Sequence, residues 1–325
     1  MRKRLLAAGA VAVLALAACS SGGREDSGAD DSGGGNAPGS SGYTIAFVTH
    51  ETPGDTFWDK VRAGAEQAAK DEGVTLKYSN DPDAGKQAGL IQSAVDAKVN
   101  GIATTLVTPD ALAGAVKSAS GAGIPVVGLN AGLDQYRKLG ALMYFGSDES
   151  LAGTSLGKRI AGEGAKHPLC VIHQTGSVSL ESRCAGVRSA VPGTENLQVN
   201  GADDSAVTTT LQAKLAQDKS IDYIVTLGAP IALDAINAKQ QASSSAKLVT
   251  FDLNQEMAKR IKDGQVEFAI DQQPYVQGYM AVTSLYLYLK NGNDIGGGGP
   301  VLTGPSFVDS SNIDKILPFT EKNTR

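Results

Sequence analysis

The chain predicts an α/β protein built as two doubly wound parallel-sheet lobes. Short β-rich apolar runs alternate with stretches of helical spacing along the whole body, and the series restarts near Ser147. Strands in such a series run parallel, with the intervening helices covering both faces of each sheet. A polar residue follows run after run, and in open parallel sheets the crevice lies beyond the carboxyl ends of the strands.

The first segment is an export signal. Arg2, Lys3 and Arg4 precede an Ala/Leu/Val run that closes on Leu16-Ala17-Ala18-Cys19. The apolar stretch is too short to span a bilayer with normal flanks, and its small closing residues suit peptidase cleavage, so residues 1–18 are expected to be a signal peptide. The ending resembles a bacterial lipobox, which implies that Cys19 becomes a lipidated first residue; an ordinary signal peptide or an uncleaved membrane helix are the alternatives. Residues 19–42 are almost wholly Gly, Ser, Asp, Asn, Ala and Pro, too polar to build a core, and read as a disordered tether. The body is therefore expected to be extracytoplasmic and lipid-anchored to the bacterial cell membrane, at the periplasm or cell surface.

Some 280 residues remain from Tyr43 onward, enough for two lobes of common domain size. Loss of residues 1–18 removes three cations and no acid, taking the net charge from −5 to −8. An acidic body has no electrostatic attraction to nucleic acid or anionic lipid. With Cys19 committed to lipid, Cys170 and Cys184 are left as a pair. An oxidising compartment favours their disulfide, worth about 3 kcal/mol for a loop of this length, against the alternative of two buried free thiols.

In the first lobe, Tyr43 to Val48 is β-rich, and Trp58, Val61, Ala65, Ala68 and Ala69 follow at helical spacing. A strand over Val74 to Tyr78, a helix over Ala88 to Val99, a strand over Gly101 to Thr105, a helix from Pro109 and a strand over Ile124 to Leu129 continue the alternation. In the second lobe, strands are expected at Leu169 to His173, Leu197 to Val199, Tyr223 to Leu227, Leu248 to Phe251 and Val266 to Ile270. Helices such as Ala206 to Gln217 and Ala229 to Gln241 separate them.

The strand ends carry the candidate chemistry. After the first run come Thr49 and His50, and then Asp55 or Thr56 can cap a helix whose exposed first turn presents Phe57 and Trp58. Trp58 is the only tryptophan in a chain of 5% aromatics, and an aromatic face at a strand-end mouth suits the C–H surface of a ligand. The other ends hold Thr105, Asn130, Asp252 and Gln272, with Arg183 at the start of a helix beside Cys184. Asp, Asn, Arg and Gln together supply the acceptors and paired donors that a rigid array of hydroxyls needs.

These residues resemble the type I periplasmic binding proteins, the ribose-binding-like solute receptors of ABC transporters, from Tyr43 to about Asp309. The resemblance rests on Thr49 to Trp58, Gly123 to Asn130, Ser182 to Val187, Val249 to Asp252 and Asp271 to Pro274. It implies that Asp55, Asn130, Arg183, Asp252 and Gln272 contact sugar hydroxyls, that Phe57 and Trp58 stack on the ligand, and that Thr49 and Thr105 are further contacts. It also implies a multi-strand hinge, with residues 43–146 plus 273–298 as N-terminal lobe and 147–272 plus 299–325, including a final strand near Val301 to Val308, as C-terminal lobe. The implied function is capture of a sugar or polyol between the lobes by a monomer, without cofactor or metal, for delivery to an ABC transporter permease.

Two departures from the ribose-type pattern stand out. Asn130-Ala131 replaces an Asp-Arg pair, and Gly228-Ala229 replaces Asn-Asp, changes expected to leave space and fewer hydrogen bonds. The alternative role keeps the fold and passes a sugar or furanone-like signal to a sensor partner. A DNA-binding repressor is disfavoured because the export signal sits where its headpiece would be. A hydrolase lacks a Gly-x-Ser-x-Gly elbow and any spacing that pairs His50, His167 or His173 with a nucleophile, so the protein is not expected to be an enzyme, and His50 and His173 are expected to flank the cleft. His-x-x-x-His and Cys-x-x-Cys metal spacings are absent, as is the Gly-x-Gly-x-x-Gly of a dinucleotide fold. The Gly296 to Gly299 run reads as a loop.

Overall fold

The structure is a computed structural model that describes residues 40–325. The expected signal peptide (1–18), the lipidation site Cys19 and the tether up to residue 39 lie outside the described residues. Among the described residues no helix is long and apolar enough to cross a membrane.

The first sheet is opened by β1 (Thr44–Thr49), α1 (Phe57–Glu72), β2 (Thr75–Asn80), α2 (Ala84–Asp96), β3 (Gly101–Thr105) and α3 (Pro109–Gly121). It continues through β4 (Val126–Asn130), the short α4 (Tyr136–Leu139) and β5 (Met143–Ser147). The chain then crosses to a second series: α5 (Glu149–Gly162), β6 (Pro168–Ile172), α6 (Val178–Ala190), β7 (Glu195–Gln198), α7 (Asp204–Gln217) and β8 (Tyr223–Thr226). That series ends with α8 (Ala229–Gln241), β9 (Lys247–Phe251), α9 (Gln255–Lys262) and β10 (Phe268–Asp271). The remaining elements are α10 (Pro274–Asn291), β11 (Val301–Gly304), β12 (Ser306–Asp309) and α11 (Ile313–Thr320).

Two six-stranded sheets result, in the orders β11-β5-β4-β3-β1-β2 and β12-β10-β9-β8-β6-β7. All paired strands are parallel except β12, which runs antiparallel to β10. The two orders match position for position, so each lobe repeats the other's plan. Every residue of β3, β4 and β5, and of β6, β8 and β10, is buried, as expected for strands covered on both faces. Four apolar clusters fill the faces, two to a sheet.

Helix α10 returns to the first lobe and packs on α1. A Cβ at Gly64 would lie 2.1 Å from the Tyr275 carbonyl oxygen and one at Gly278 1.9 Å from that of Val61, so only glycines permit this approach. In the second lobe, Gly153 and Gly186 do the same for α5 against α6. That approach brings Glu149 beside Arg183.

Two elements differ from expectation. Met143–Ser147 forms a strand, although its run of four residues before Ser147, ending in glycine, is too short to register against its neighbours. The single strand expected over Val301 to Val308 in the second lobe is two strands. Val301–Gly304 pairs with β5 in the first sheet, and Ser306–Asp309 pairs with β10 in the second. Pro305 between them has no N–H to give a ladder, and the chain crosses there. Three crossings therefore join the lobes, after Ser147, around Gln272 and at Pro305, and Arg325 forms an ion pair with buried Asp271 beside the second.

Candidate functional site

The carboxyl ends of the two sheets enclose a cavity of about 210 Å³ whose walls come from both lobes. Of the nine expected ligand-binding residues, the structure brings Asp55, Phe57, Trp58, Asn130, Arg183, Asp252 and Gln272 to this wall. The lobes touch on either side of it. Val178 N donates to Val107 O at 3.3 Å, and Asn254 Nδ2 donates to Thr56 Oγ1 at 3.2 Å.

The first-lobe wall holds the rings of His50, Phe57 and Trp58 beside Asp55. Asp55 Oδ1 accepts from the Phe57 backbone N–H at 3.0 Å, fixing the first turn of α1, while Thr56 makes no capping bond. Phe57 and Trp58 stand edge to face at 5.0 Å, and the His50 ring meets Trp58 edge to face at 4.8 Å. The expectation of an exposed first turn is corrected here. Phe57 and Trp58 are only 5% and 3% exposed, because their rings pack into the core beneath α1 as well as facing the cavity.

Thr49 and Thr105 stand behind this wall rather than in it. Thr49 Oγ1 is 3.1 Å from the Tyr78 hydroxyl, which donates to Glu51 at 2.9 Å. Thr105 Oγ1 lies 2.8 Å from His50 Nδ1 and accepts from Gln87 Nε2 at 3.0 Å. Thr105 thus orients the imidazole. The strand ends expected from the pattern are right in place, but the side chain that closes β1 turns to β2 and the one that closes β3 to the β1–α1 loop and α2.

The second-lobe wall is ionic. Arg183 lies in the middle of α6, not at its start as expected, and its guanidinium is held by a bidentate pair with Glu149, at 2.5 and 3.1 Å. Nη1 also donates to Leu227 O at 3.2 Å, and the group lies 4.5 Å over the Phe251 ring. These bonds use three of five N–H groups, leaving one each on Nη1 and Nη2. A disulfide joins Cys170 of β6 to Cys184 of α6, one residue from Arg183, and so ties this helix to a central strand.

Asn130 at the end of β4 and Asp252 just after β9 occupy equivalent places, both in left-handed conformation, with φ of 63° and 68°. Asn and Asp tolerate that region better than other side-chain-bearing residues. Gln272 Nε2 donates to Asp252 Oδ1 at 2.5 Å, while Gln272 Oε1 is buried without a partner among the described residues.

Burial dominates the titration of the site. It pushes the Asp252 carboxyl up to about 7, with Asp55 and Asp271 adding to the effect and Arg183 and Gln272 opposing it. Asp55 and Glu149 are raised for the same reason, Glu149 against the pull of Arg183. Burial lowers His50 to about 3, with His173 and Arg183 adding their repulsion, and lowers His173 to about 4, with Arg183 adding. Both imidazoles are neutral near pH 7, and the Arg183 charge is met by Glu149.

Sequence reading misses Glu149, Ser177, Ser179 and Asp204. The last three line the cavity from α6 and α7, and Glu149 follows the strand that the pattern does not reveal. His50 and His173 are expected only at the flanks, yet both line the cavity. The space expected at Gly228 is also corrected: a Cβ there would come within 3.3 Å of His173 Cε1, so the imidazole already fills it. A separate His167, Glu195 and Asp218 cluster has ligand atoms within 4.8 Å of one another. It sits at the opposite end of the second sheet from the cavity, and Lys214 Nζ already pairs with Glu195 at 2.8 Å.

Residues 45–294 match the family model described as "Periplasmic binding protein domain". The solved structure of a carbohydrate transporter from Acidothermus cellulolyticus 11B, in complex with myo-inositol, is 57% identical with a TM-score of 0.86, covering 87% of this chain and 99% of that one. The ribose import binding protein RbsB of Escherichia coli K12 is 30% identical over 76% of this chain and 85% of its own length. A solute binding protein from Agrobacterium vitis with bound D-fucose is 25% identical with a TM-score of 0.77, covering 86% of this chain and 99% of that one.

Proposed function

We propose that this chain, which belongs to the periplasmic binding protein domain family, captures one uncharged sugar or polyol between its lobes and delivers it to an ABC importer. The observation that carries the reading is the cavity itself. Two aromatic rings from one lobe oppose Arg183 and Asp252 from the other, with Asn130 and Gln272 at the strand ends between them. A carbohydrate has C–H faces that stack on rings and equatorial hydroxyls that need both donors and acceptors, and this set offers both. An anionic ligand would share the space with Asp55 and Asp252, while Arg183 already has its counterion.

The ligand of the 57% identical carbohydrate transporter makes myo-inositol the first candidate. Ligand held by both lobes favours the closed form through its differential affinity, and the closed form would present both lobe tips to a permease. A lipid on Cys19 followed by the polar segment to residue 42 would keep the receptor near that permease and raise its effective concentration.

A thermal-shift screen of the purified mature protein against inositols, pentoses, hexoses and alditols tests the ligand class, since a bound ligand raises apparent stability by mass action. The expected result is a rise with myo-inositol or a close relative and none with sugar acids. No response to any polyhydroxyl compound would overturn the reading.

A further inference from the structure

We infer that His50 and His173 form a facing pair of neutral imidazoles that read the ligand's hydroxyls, so that closure of the lobes on ligand expels protons in mild acid. The inference rests on the proposed capture of a polyol. The two residues occupy equivalent places, immediately after β1 in one lobe and β6 in the other, and both line the cavity. The repeat of the fold therefore sets one imidazole in each wall.

Each ring is held, and each keeps hydrogen-bonding capacity for a ligand. His50 is bound through Nδ1 to Thr105, and its ring lies edge to face on Trp58, which leaves Nε2. His173 is wedged by two glycines. A Cβ at Gly201 would come within 2.8 Å of the His173 carbonyl oxygen and 2.9 Å of its Cβ, and a Cβ at Gly228 would meet the ring. Its Nδ1 is fully buried with no hydrogen-bond partner among the described residues, so the nitrogen left for a ligand is Nε2, on a ring that lines the cavity. A ligand hydroxyl can act as donor to the Nε2 of one imidazole and acceptor from the Nε2 of the other.

The charged and titratable groups around the pair explain the proton linkage. Arg183 from α6 faces both rings, Asp55 lies before α1, Asp252 follows β9, and Asp204 opens α7. Burial and Arg183 disfavour imidazolium in the closed cavity, whereas rings exposed in an open cleft titrate near the ordinary value of about 6.5. Closure below that pH therefore releases a proton from each histidine. Asp252 works in the opposite sense, since burial raises its carboxyl and closure takes a proton up. The net slope of affinity with pH is thus a difference, and the histidine share appears when one ring is removed.

The test is calorimetric titration of myo-inositol into the mature protein and its His50→Gln, His173→Gln, His173→Asn, Gly228→Ala and His167→Gln variants. Buffers of different ionisation enthalpy give the protons exchanged on binding. At about pH 5.5 the wild type should release nearly one proton more than either His50→Gln or His173→Gln, and at neutral pH each should bind tenfold or more weakly. His173→Asn carries an amide that reaches only the Nδ1 position, so it should bind no better than His173→Gln and likewise lack the proton. Gly228→Ala, which crowds the ring, should weaken binding, and the distant His167→Gln should change neither quantity; melting curves verify that each variant is folded. Binding of myo-inositol with equal affinity and equal proton exchange in wild type and the His50 and His173 variants overturns the inference alone. Absence of binding by the wild type to myo-inositol, D-ribose, D-xylose and D-glucose instead overturns the polyol reading on which it rests.

Discussion

The two lobes share a backbone plan and differ in what their strand ends carry. Both sheets have the same strand order, both first strands are followed by histidine, and a left-handed residue closes β4 and follows β9. Yet the first lobe lines the cavity with Phe57 and Trp58, while the second lines it with Arg183, paired with Glu149 behind the wall, on a helix tied down by a disulfide. The repeated scaffold fixes where a side chain sits, and the residue there decides what it does. One wall suits the apolar faces of a ring, and the other its hydroxyls.

The sharpest way to break this contrast is Arg183→Ala. It removes the donor proposed for the ligand and leaves Glu149 buried without a partner, a change that typically costs about 3–5 kcal/mol of stability. Chemical denaturation should show that loss, and Glu149→Gln in the same chain should recover part of it. An unchanged midpoint in Arg183→Ala would mean that the ion pair is not holding α5 and α6 together.

Next in size is the disulfide. Its sequence separation of 14 predicts a loss of about 3 kcal/mol on replacement of both Cys170 and Cys184 by alanine, less any relief of strain. Hydrogen exchange should place the loss in β6 and α6 and leave β1 and α1 protected as before. Equal loosening of both lobes would show that their stabilities are not separable.

Trp58→Ala tests the other wall. It should weaken ligand binding by about 1–3 kcal/mol, the worth of apolar burial and stacking against one ring face. In the intact protein Trp58 is the only tryptophan, so its emission should change on binding. Calorimetry showing full affinity in Trp58→Ala would remove the stacking role.

The smallest effect is a slope. Asp252 has a folded-state pKa of about 7 against an ordinary 3.8, so the folded protein binds more protons across that window. Its contribution to stability is fully present below the ordinary value and is lost as pH rises through about 7. His173, lowered to about 4, runs the other way: its contribution is present above 6.5 and is lost as pH falls through about 4. Melting temperatures of Asp252→Asn should therefore fall less than those of wild type between mildly acidic and neutral pH.

Much of this is legible in the sequence because parallel strands buried on both faces are written as apolar runs. Val126 to Asn130 and Lys247 to Phe251 announce both their strands and the polar residues that close them. Met143–Ser147 is not legible, since a few apolar residues ending in glycine carry no period, and with it goes Glu149. Val301 to Val308 reads as one extended run, and only the pairing partners show that Pro305 divides it between two sheets. Thr49 and Thr105 have the right strand ends but the wrong facing, which depends on side-chain directions set by β2, α2 and the β1–α1 loop. The His173–Gly228 fit joins positions 55 residues apart in the chain, and one sequence holds no sign of it.

Calorimetric titration of myo-inositol into the wild type, the first-lobe variant Asp55→Asn and the second-lobe variant Arg183→Lys tests the central claim most directly. Closure of two unlike walls on one ligand predicts a single site per chain and a clear loss of affinity in both variants. Full affinity in either one would contradict it, because a ligand indifferent to one wall is not held between two.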